Sequence, residues 1–320
     1  MAAYSQGGGG NLLTARAWAR LVRLPNLPTP LADIGLGLAA SFAVGARTGL
    51  GVATLLGCSS LCLYTAGMVL NDWCDREDDA VWRADRPLPS GAIGPFQALV
   101  AGFALLGLGL VFAGLADLNE GGQPLSFSIA LLVASMVLLY DTWAKRTPLG
   151  PLAMGSCRGL NVLLGASASG LRIDPFSGLI WIPALTSALY IAGVTWFART
   201  EEKNSNPLHL RLASGVIVLA LGLAACATLL SPEAFESAGW LILPWSLMGL
   251  VLGILLPRLF RANRQATPGA VQSAVGWMIA LYIPVQAAQA CGLAGPWGLL
   301  IVPLFAGVLL LRRWRWLKAT

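Results

Sequence analysis

The chain has 320 residues, of which 56% are hydrophobic and only 11% charged, with a net charge of +6 and a mean hydropathy of +0.70. Soluble domains carry about a quarter of their residues as charges, so this composition excludes a soluble globular enzyme and defines an all-α, polytopic membrane bundle. A single histidine, His209, and six cysteines without a CxxC pair argue against a zinc site, a disulfide framework or a serine-hydrolase triad.

Residues 1–12, small and Gly-rich with Gly7 to Gly10 in a row, read as a disordered tail; no compact apolar core with a cleavage site makes them a signal peptide. Residues 13–320 then form one transmembrane domain. Segments of about 20 apolar residues suit a hydrocarbon core of about 30 Å. Ten such segments are predicted, over about 27–46, 49–70, 95–116, 124–143, 150–170, 176–196, 207–230, 238–257, 269–290 and 294–311. The last two are joined by a short Gly/Pro turn and could instead be one span with a re-entrant hairpin. Eighteen of the 21 basic residues fall on one side of this topology, two (Arg47 and Arg172) on the other, and Arg158 inside a span. The positive-inside rule makes the basic side, with both termini, cytoplasmic. The same asymmetry accounts for the net charge without nucleic acid as a partner.

The second span runs into Asn71-Asp72-Trp73-Cys74-Asp75-Arg76-Glu77-Asp78-Asp79, followed by Arg86-Pro87-Leu88-Pro89-Ser90-Gly91. On a continuous helix, Asp72, Asp75 and Asp79 at i, i+3, i+7 lie within about 60° of one another over about 10 Å of axis. Such carboxylates repel unless a cation lies between them, and the hard cation that suits them and arrives with phosphate is Mg²⁺. Arg86 offers a guanidinium fork for phosphate oxygens. The fourth span ends in Tyr140-Asp141-Thr142-Trp143-Ala144-Lys145-Arg146-Thr147 on the same side. Its Lys145 and Arg146 read either as neutralisers of a leaving diphosphate or as positive-inside anchors. Arg158 stands about eight residues into the fifth span, where a charge is costly unless paired or facing a wet cavity. With Asn161 one turn on, it either lines a cavity or pairs with Asp33 of the first span.

These segments resemble the UbiA superfamily of intramembrane prenyltransferases. Asn71 to Gly91 matches the family's first aspartate-rich motif, and Tyr140 to Thr147 its tyrosine and lysine-arginine segment; the resemblance runs from Arg23-Leu24-Pro25-Asn26 to the last spans. It implies a helical bundle of nine core spans, a tenth being an extension, around a central cavity. It also implies Mg²⁺-dependent transfer of an isoprenyl group from a prenyl diphosphate to an unknown aromatic or lipid acceptor. Asp72, Asp75 and Asp79 would hold Mg²⁺, with Asn71 assisting at the diphosphate. Arg86, Lys145, Arg146 and Arg199 would neutralise the leaving group, Arg158 and Asn161 would line the substrate cavity, and Tyr140, with Tyr64 as a weaker choice, would face the allylic cation. The second aspartate-rich motif is replaced by Thr195-Trp196-Phe197-Ala198-Arg199-Thr200-Glu201-Glu202. There Glu201 and Glu202 hold a second ion, or Arg199 replaces that ion, or transfer is lost. This variant with Arg158-Gly159-Leu160-Asn161 is similar to the divergent EboC branch, which implies a bacterial inner membrane. The alternative is a non-catalytic UbiA-like component of a lipid or metabolite export system.

Overall fold

A computed structural model of the chain describes residues 7–119, 121–169, 178–199, 205–229 and 242–313. Twelve α-helices appear among them: α1 Gly7–Leu21, α2 Pro28–Ala43, α3 Leu50–Cys74, α4 Arg76–Trp82, α5 Pro95–Asn119, α6 Leu125–Thr142, α7 Gly150–Ala166, α8 Gly178–Ala198, α9 Pro207–Ala227, α10 Ile242–Gln265, α11 Pro268–Ala294 and α12 Val302–Arg312. Prolines stand in the first turns of α2, α5, α7, α9 and α11, where a missing amide hydrogen costs nothing. Pro183, Pro257 and Pro284 lie inside α8, α10 and α11, as membrane helices tolerate.

Seven of the described helices are long and apolar enough to cross a membrane when α11 and α12 are taken as one stretch, Pro268–Arg312. The other two inner helices, α2 and α7, have 16 and 17 residues. The stretch from 268 to 312 is a hairpin. Gly295 breaks α11 at φ 57°, a 3₁₀ turn covers Gly295–Ile301, and α12 returns until Arg312 donates from Nη1 to the Gly276 carbonyl at 2.7 Å. Residues 7–12, expected to be disordered, form the first turns of α1. That helix places Ala17 and Leu21 against Val69, Leu88 and Ile93, and helix propagation from such an anchor adds one hydrogen bond per residue.

Helix α3 packs on α5 and α6, α6 on α7, α7 on α8, α8 on α9, and α10 on α11. Helix α2 touches both α7 and α11 and joins the two ends of the bundle. Between lipid-solvated helices close packing replaces hydrophobic exclusion as the source of attraction, so small residues mark the tightest contacts. At Gly37 and Gly165 an added Cβ would fall 2.2 Å from the Val162 carbonyl oxygen and 2.5 Å from that of Ile34. At Gly155 and Gly159 it would fall 2.4 Å from the Ala188 oxygen and 2.9 Å from that of Ala184. Gly155→Val should therefore lower stability by about 1–3 kcal/mol through overpacking, read as a lower unfolding midpoint in detergent; an unchanged midpoint would show that α7 and α8 can separate freely.

Candidate functional site in the helical bundle

The sequence brings several polar groups to the ends of apolar helices on one side. Asn71 and Asp72 lie in the last turn of α3, Tyr140 and Asp141 in the last turn of α6, and Arg23 just before α2. All but Asp72 meet at a cavity of ≈ 120 Å³ whose walls include Leu63, Met68, Val133, Val137 and Met154, and Asp72 lies 3.5 Å from the Arg23 guanidinium. Arg23, Asn71, Tyr140 and Asp141 line it at these helix ends; Tyr64, Arg158 and Asn161 line it deeper in. Arg158 is eight residues into α7, about 12 Å along its axis. An apolar chain and a charged head group could therefore share one chamber.

Helix α3 runs four residues past the predicted span, so Asn71 and Asp72 are helical. The three-carboxylate reading needs correction. The chain leaves α3 at Cys74, Asp75 takes φ −92° and ψ 1°, and α4 begins at Arg76. Asp79 thus belongs to a second short helix, and the three side chains do not form one ladder. Among the described residues no group of three acidic, histidine or cysteine side chains is arranged to hold a metal alone. Two do converge on one positive charge: Arg86 Nη1 lies 2.6 Å from Asp79 Oδ2 and 3.6 Å from Asp72 Oδ1. Arg23 approaches Asp72 at 3.5 Å and Arg83 approaches Asp79 at 3.8 Å. Asp75 turns instead to Lys145, 2.6 Å away on the 3₁₀ turn Ala144–Arg146, as an ion pair and not an aligned hydrogen bond.

This donor set fits magnesium. Its ligands are hard carboxylate oxygens, a guanidinium already marks where a cation can sit between Asp72 and Asp79, and Mg²⁺ normally takes one or two carboxylates with the rest of its shell from phosphate and water. Because Arg86 holds that position, Arg86→Gln should bind Mg²⁺ alone at least about tenfold more tightly than the unsubstituted protein, while binding geranyl diphosphate more weakly. Titration calorimetry measures both, and equal Mg²⁺ affinity in the two proteins would contradict the overlap.

The remaining predicted groups fall in different places. Arg158 satisfies both readings offered by the sequence: it lines the cavity and pairs with Asp33 at 3.1 Å, both residues being buried. Asn161 donates to Asp33 Oδ2 at 2.9 Å and to the Pro30 carbonyl at 3.2 Å. Arg146 is exposed and lies 3.9 Å from exposed Asp78. Arg199 is exposed and donates to the Thr147 carbonyl at 2.7 Å, tying the end of α8 to the turn that carries Lys145. Glu201 and Glu202 lie outside the described residues.

Four features are new to the sequence reading. Asp33 accepts from Tyr282 at 2.7 Å and from Gln286, so one carboxylate joins α2, α7 and α11. The Arg158 guanidinium lies over the rings of Tyr64 and Tyr282, 5.6 and 5.1 Å from their centroids. Arg23 has φ 50°, a left-handed conformation unusual for a side chain of its size and common where function fixes the backbone. Its position just before Leu24-Pro25-Asn26 was the only sequence signal. Asp141, inside the fourth-span motif, is 4% exposed and accepts from Asn71 Nδ2 at 2.9 Å.

These observations define a multi-pass membrane protein built round an intramembrane chamber with a charged rim. Residues 34–268 match the UbiA prenyltransferase family, and the chain belongs to that family. It is 31% identical over 207 residues to a digeranylgeranylglyceryl phosphate synthase of Methanoregula boonei, covering 63% of this chain and 68% of that protein. Three further synthases of that name are matched over 35 to 45% of their own lengths. In fold it is similar to a UbiA homologue from Aeropyrum pernix K1, with a TM-score of 0.60, 20% identity and coverage of 83% of this chain and 97% of that one. It is also similar to a UbiA homologue from Archaeoglobus fulgidus bound to DMAPP and Mg²⁺, with a TM-score of 0.56, 16% identity and coverage of 85% and 98%.

Proposed function

We infer that this protein transfers an isoprenyl group from a prenyl diphosphate to an acceptor, with Mg²⁺ at Asp72 and Asp79. The observation that carries this reading is the chamber itself: apolar walls for a prenyl chain, with Arg23 at the rim 3.5 Å from Asp72, which shares the Arg86 guanidinium with Asp79. The Archaeoglobus homologue with DMAPP and Mg²⁺ supports it. The metal would supply charge neutralisation to the diphosphate. Arg86, displaced from its carboxylates, and Lys145 would turn to the same oxygens; Arg23, already at the cavity, would join them. As the bond between prenyl C1 and oxygen breaks, its electron pair goes to the diphosphate and an allylic cation develops. Tyr140 and Tyr64 line the chamber, and aromatic rings stabilise cations. The acceptor then forms its bond to C1. Glu201 and Glu202 would hold a second ion, with Arg146 and Arg199 as outer contributors of positive charge.

The charge asymmetry supports a cytoplasmic rim and cytoplasmic termini. Placement in the EboC branch, and with it a bacterial inner membrane, rests on the Arg158–Asn161 and Thr195–Glu202 segments. The deciding experiment incubates purified protein with radiolabelled geranyl diphosphate and a host lipid extract, with Mg²⁺ or EDTA. Mg²⁺-dependent label in a lipid-soluble product is expected. Mg²⁺-dependent binding without any transfer would favour the non-catalytic alternative.

A further inference from the structure

The basic residues round the chamber have carboxylates to answer them: Arg23 and Arg86 approach Asp72, Lys145 approaches Asp75, and Arg158 pairs with Asp33. The last three helices differ. Residues 242–313 contain no aspartate or glutamate, yet Arg258, Arg261 and Arg264 stand in the last turns of α10 and Arg312 closes α12. Arg258 and Arg312 are half-buried and held in place. The Arg258 guanidinium lies 4.4 Å from the centre of the Trp277 ring, and its Nη1 donates to the Ile254 carbonyl at 2.5 Å. Arg312 donates from Nη1 to the Gly276 carbonyl, and its Nη2 lies 3.6 Å from where a Gly276 side chain would begin. Helices α10 and α12 thus deliver two guanidiniums to successive residues of α11. A guanidinium has five N–H donors, and each of these gives one nitrogen to a backbone carbonyl. Neither has a carboxylate partner among the described residues.

Their place in the bundle says which anion completes them. Ser205 donates its backbone N–H to the Ala266 carbonyl between α10 and α11, and Arg199, at the end of α8, reaches Thr147 beside Lys145. This end of the bundle is therefore the end that carries the charged rim. Gly276 and Trp277 lie about 12–14 Å along α11 from its start at Pro268. Exposed Leu256 and Phe260 flank Arg258, and exposed Leu309 stands one turn before Arg312 on the same face of α12. Half-buried cations beside lipid-facing residues are costly without a counter-anion. Unpaired guanidiniums at the rim end, with exposed leucines next to them, complement an amphiphile with an anionic phosphate head. Guanidinium matches phosphate oxygens, and basic pockets between membrane helices on the positive side take anionic lipid head groups. We propose that the outer part of α11 is a binding site for an anionic phospholipid, whose phosphate oxygens take the remaining donors of Arg258 and Arg312. None of these residues lines the chamber, and the site is independent of the transferase reading. The lipid neutralises two cations and ties α10 and α12 to α11.

The test uses full-length protein in dodecyl maltoside, freed of lipid and titrated with dioleoylphosphatidylglycerol or dioleoylphosphatidylcholine, with retained lipid counted by native mass spectrometry. Phosphatidylglycerol should bind about tenfold or more tightly than phosphatidylcholine, because two guanidiniums favour a net negative head group over a zwitterionic one. In Arg258→Gln/Arg312→Gln that preference should fall below about twofold. Arg211→Gln/Arg264→Gln removes the same charge from exposed positions and should keep the preference. If the first double variant does not fold, as judged by its unfolding midpoint in the same detergent, Arg258→Gln alone decides, with the preference expected to fall at least about threefold. Three results would overturn the assignment. The unsubstituted protein could retain both lipids equally. The two double variants could lose the preference equally, which would mean that net charge matters and this site does not. Excess inorganic phosphate could displace phosphatidylglycerol, which would assign the arginines to a soluble anion.

Discussion

Asp33→Ala should destabilise the protein by about 3–5 kcal/mol, the usual effect of removing one partner from a buried ion pair and leaving the other uncompensated. Asp33 is fully buried and Arg158 is 7% exposed, so little water reaches the orphaned guanidinium. The loss should fall toward the upper end of that range because Asn161, Tyr282 and Gln286 also donate to this carboxylate. A thermal unfolding midpoint in detergent gives the measurement. The double variant Asp33→Leu/Arg158→Met should regain most of the loss, since two matched apolar residues need no mutual neutralisation. That variant also separates the two readings of Arg158. Recovered stability with impaired geranyl diphosphate binding assigns the arginine a part in the chamber; recovered stability with normal binding makes it a structural residue alone.

Asp72→Ala should abolish the difference between Mg²⁺ and EDTA in geranyl diphosphate binding and lower transfer about a thousandfold. A metal contributes several kcal/mol of charge stabilisation in the transition state, and each 1.36 kcal/mol is about tenfold in rate. Asp72 is 6% exposed and approached by Arg23 and Arg86, so the same truncation frees two cations at the rim. Those cations hold some metal-independent affinity for diphosphate, and binding weakens less than turnover. Asp78→Ala serves as the comparison. Its carboxylate is exposed and lies 3.9 Å from the exposed Arg146, and its loss should change neither quantity by more than about twofold. Equal losses at positions 72 and 78 would mean that net negative charge matters and site geometry does not.

Much of this was legible in the sequence because membrane helices announce themselves by length and apolarity. The segments predicted at 95–116, 124–143 and 207–230 correspond to α5, α6 and α9 within a few residues. The eighth ran differently: α10 continues through Arg258, Arg261 and Arg264 to Gln265, past the apolar stretch. Hydropathy stops at the first arginine, but a helix does not, because Arg258 returns its Nη1 to the Ile254 carbonyl and stacks over Trp277. The acidic segment could be recognised by spacing, yet its geometry could not. Whether Asp75 faced Asp72 or Lys145 depended on a one-residue interruption between α3 and α4, and no residue type in Trp73-Cys74-Asp75-Arg76 demands it. Asp141 was hidden for another reason. Its partner is Asn71, seventy residues earlier in the chain, which fixes one oxygen and leaves the other buried without a hydrogen-bond partner among the described residues.

Pro284 gives the Asp33 network one more meaning. A proline nitrogen has no hydrogen to give, so the Ala280 carbonyl lacks the amide that would close its turn, and α11 is weakest there. Tyr282 and Gln286 flank the proline on either side, and both end on the same oxygen of Asp33. One carboxylate from α2 thereby splints the softest turn of α11, holding its two halves in line across the gap. Any force that draws Asp33 away from that turn would let the far half of the helix swing as a lever.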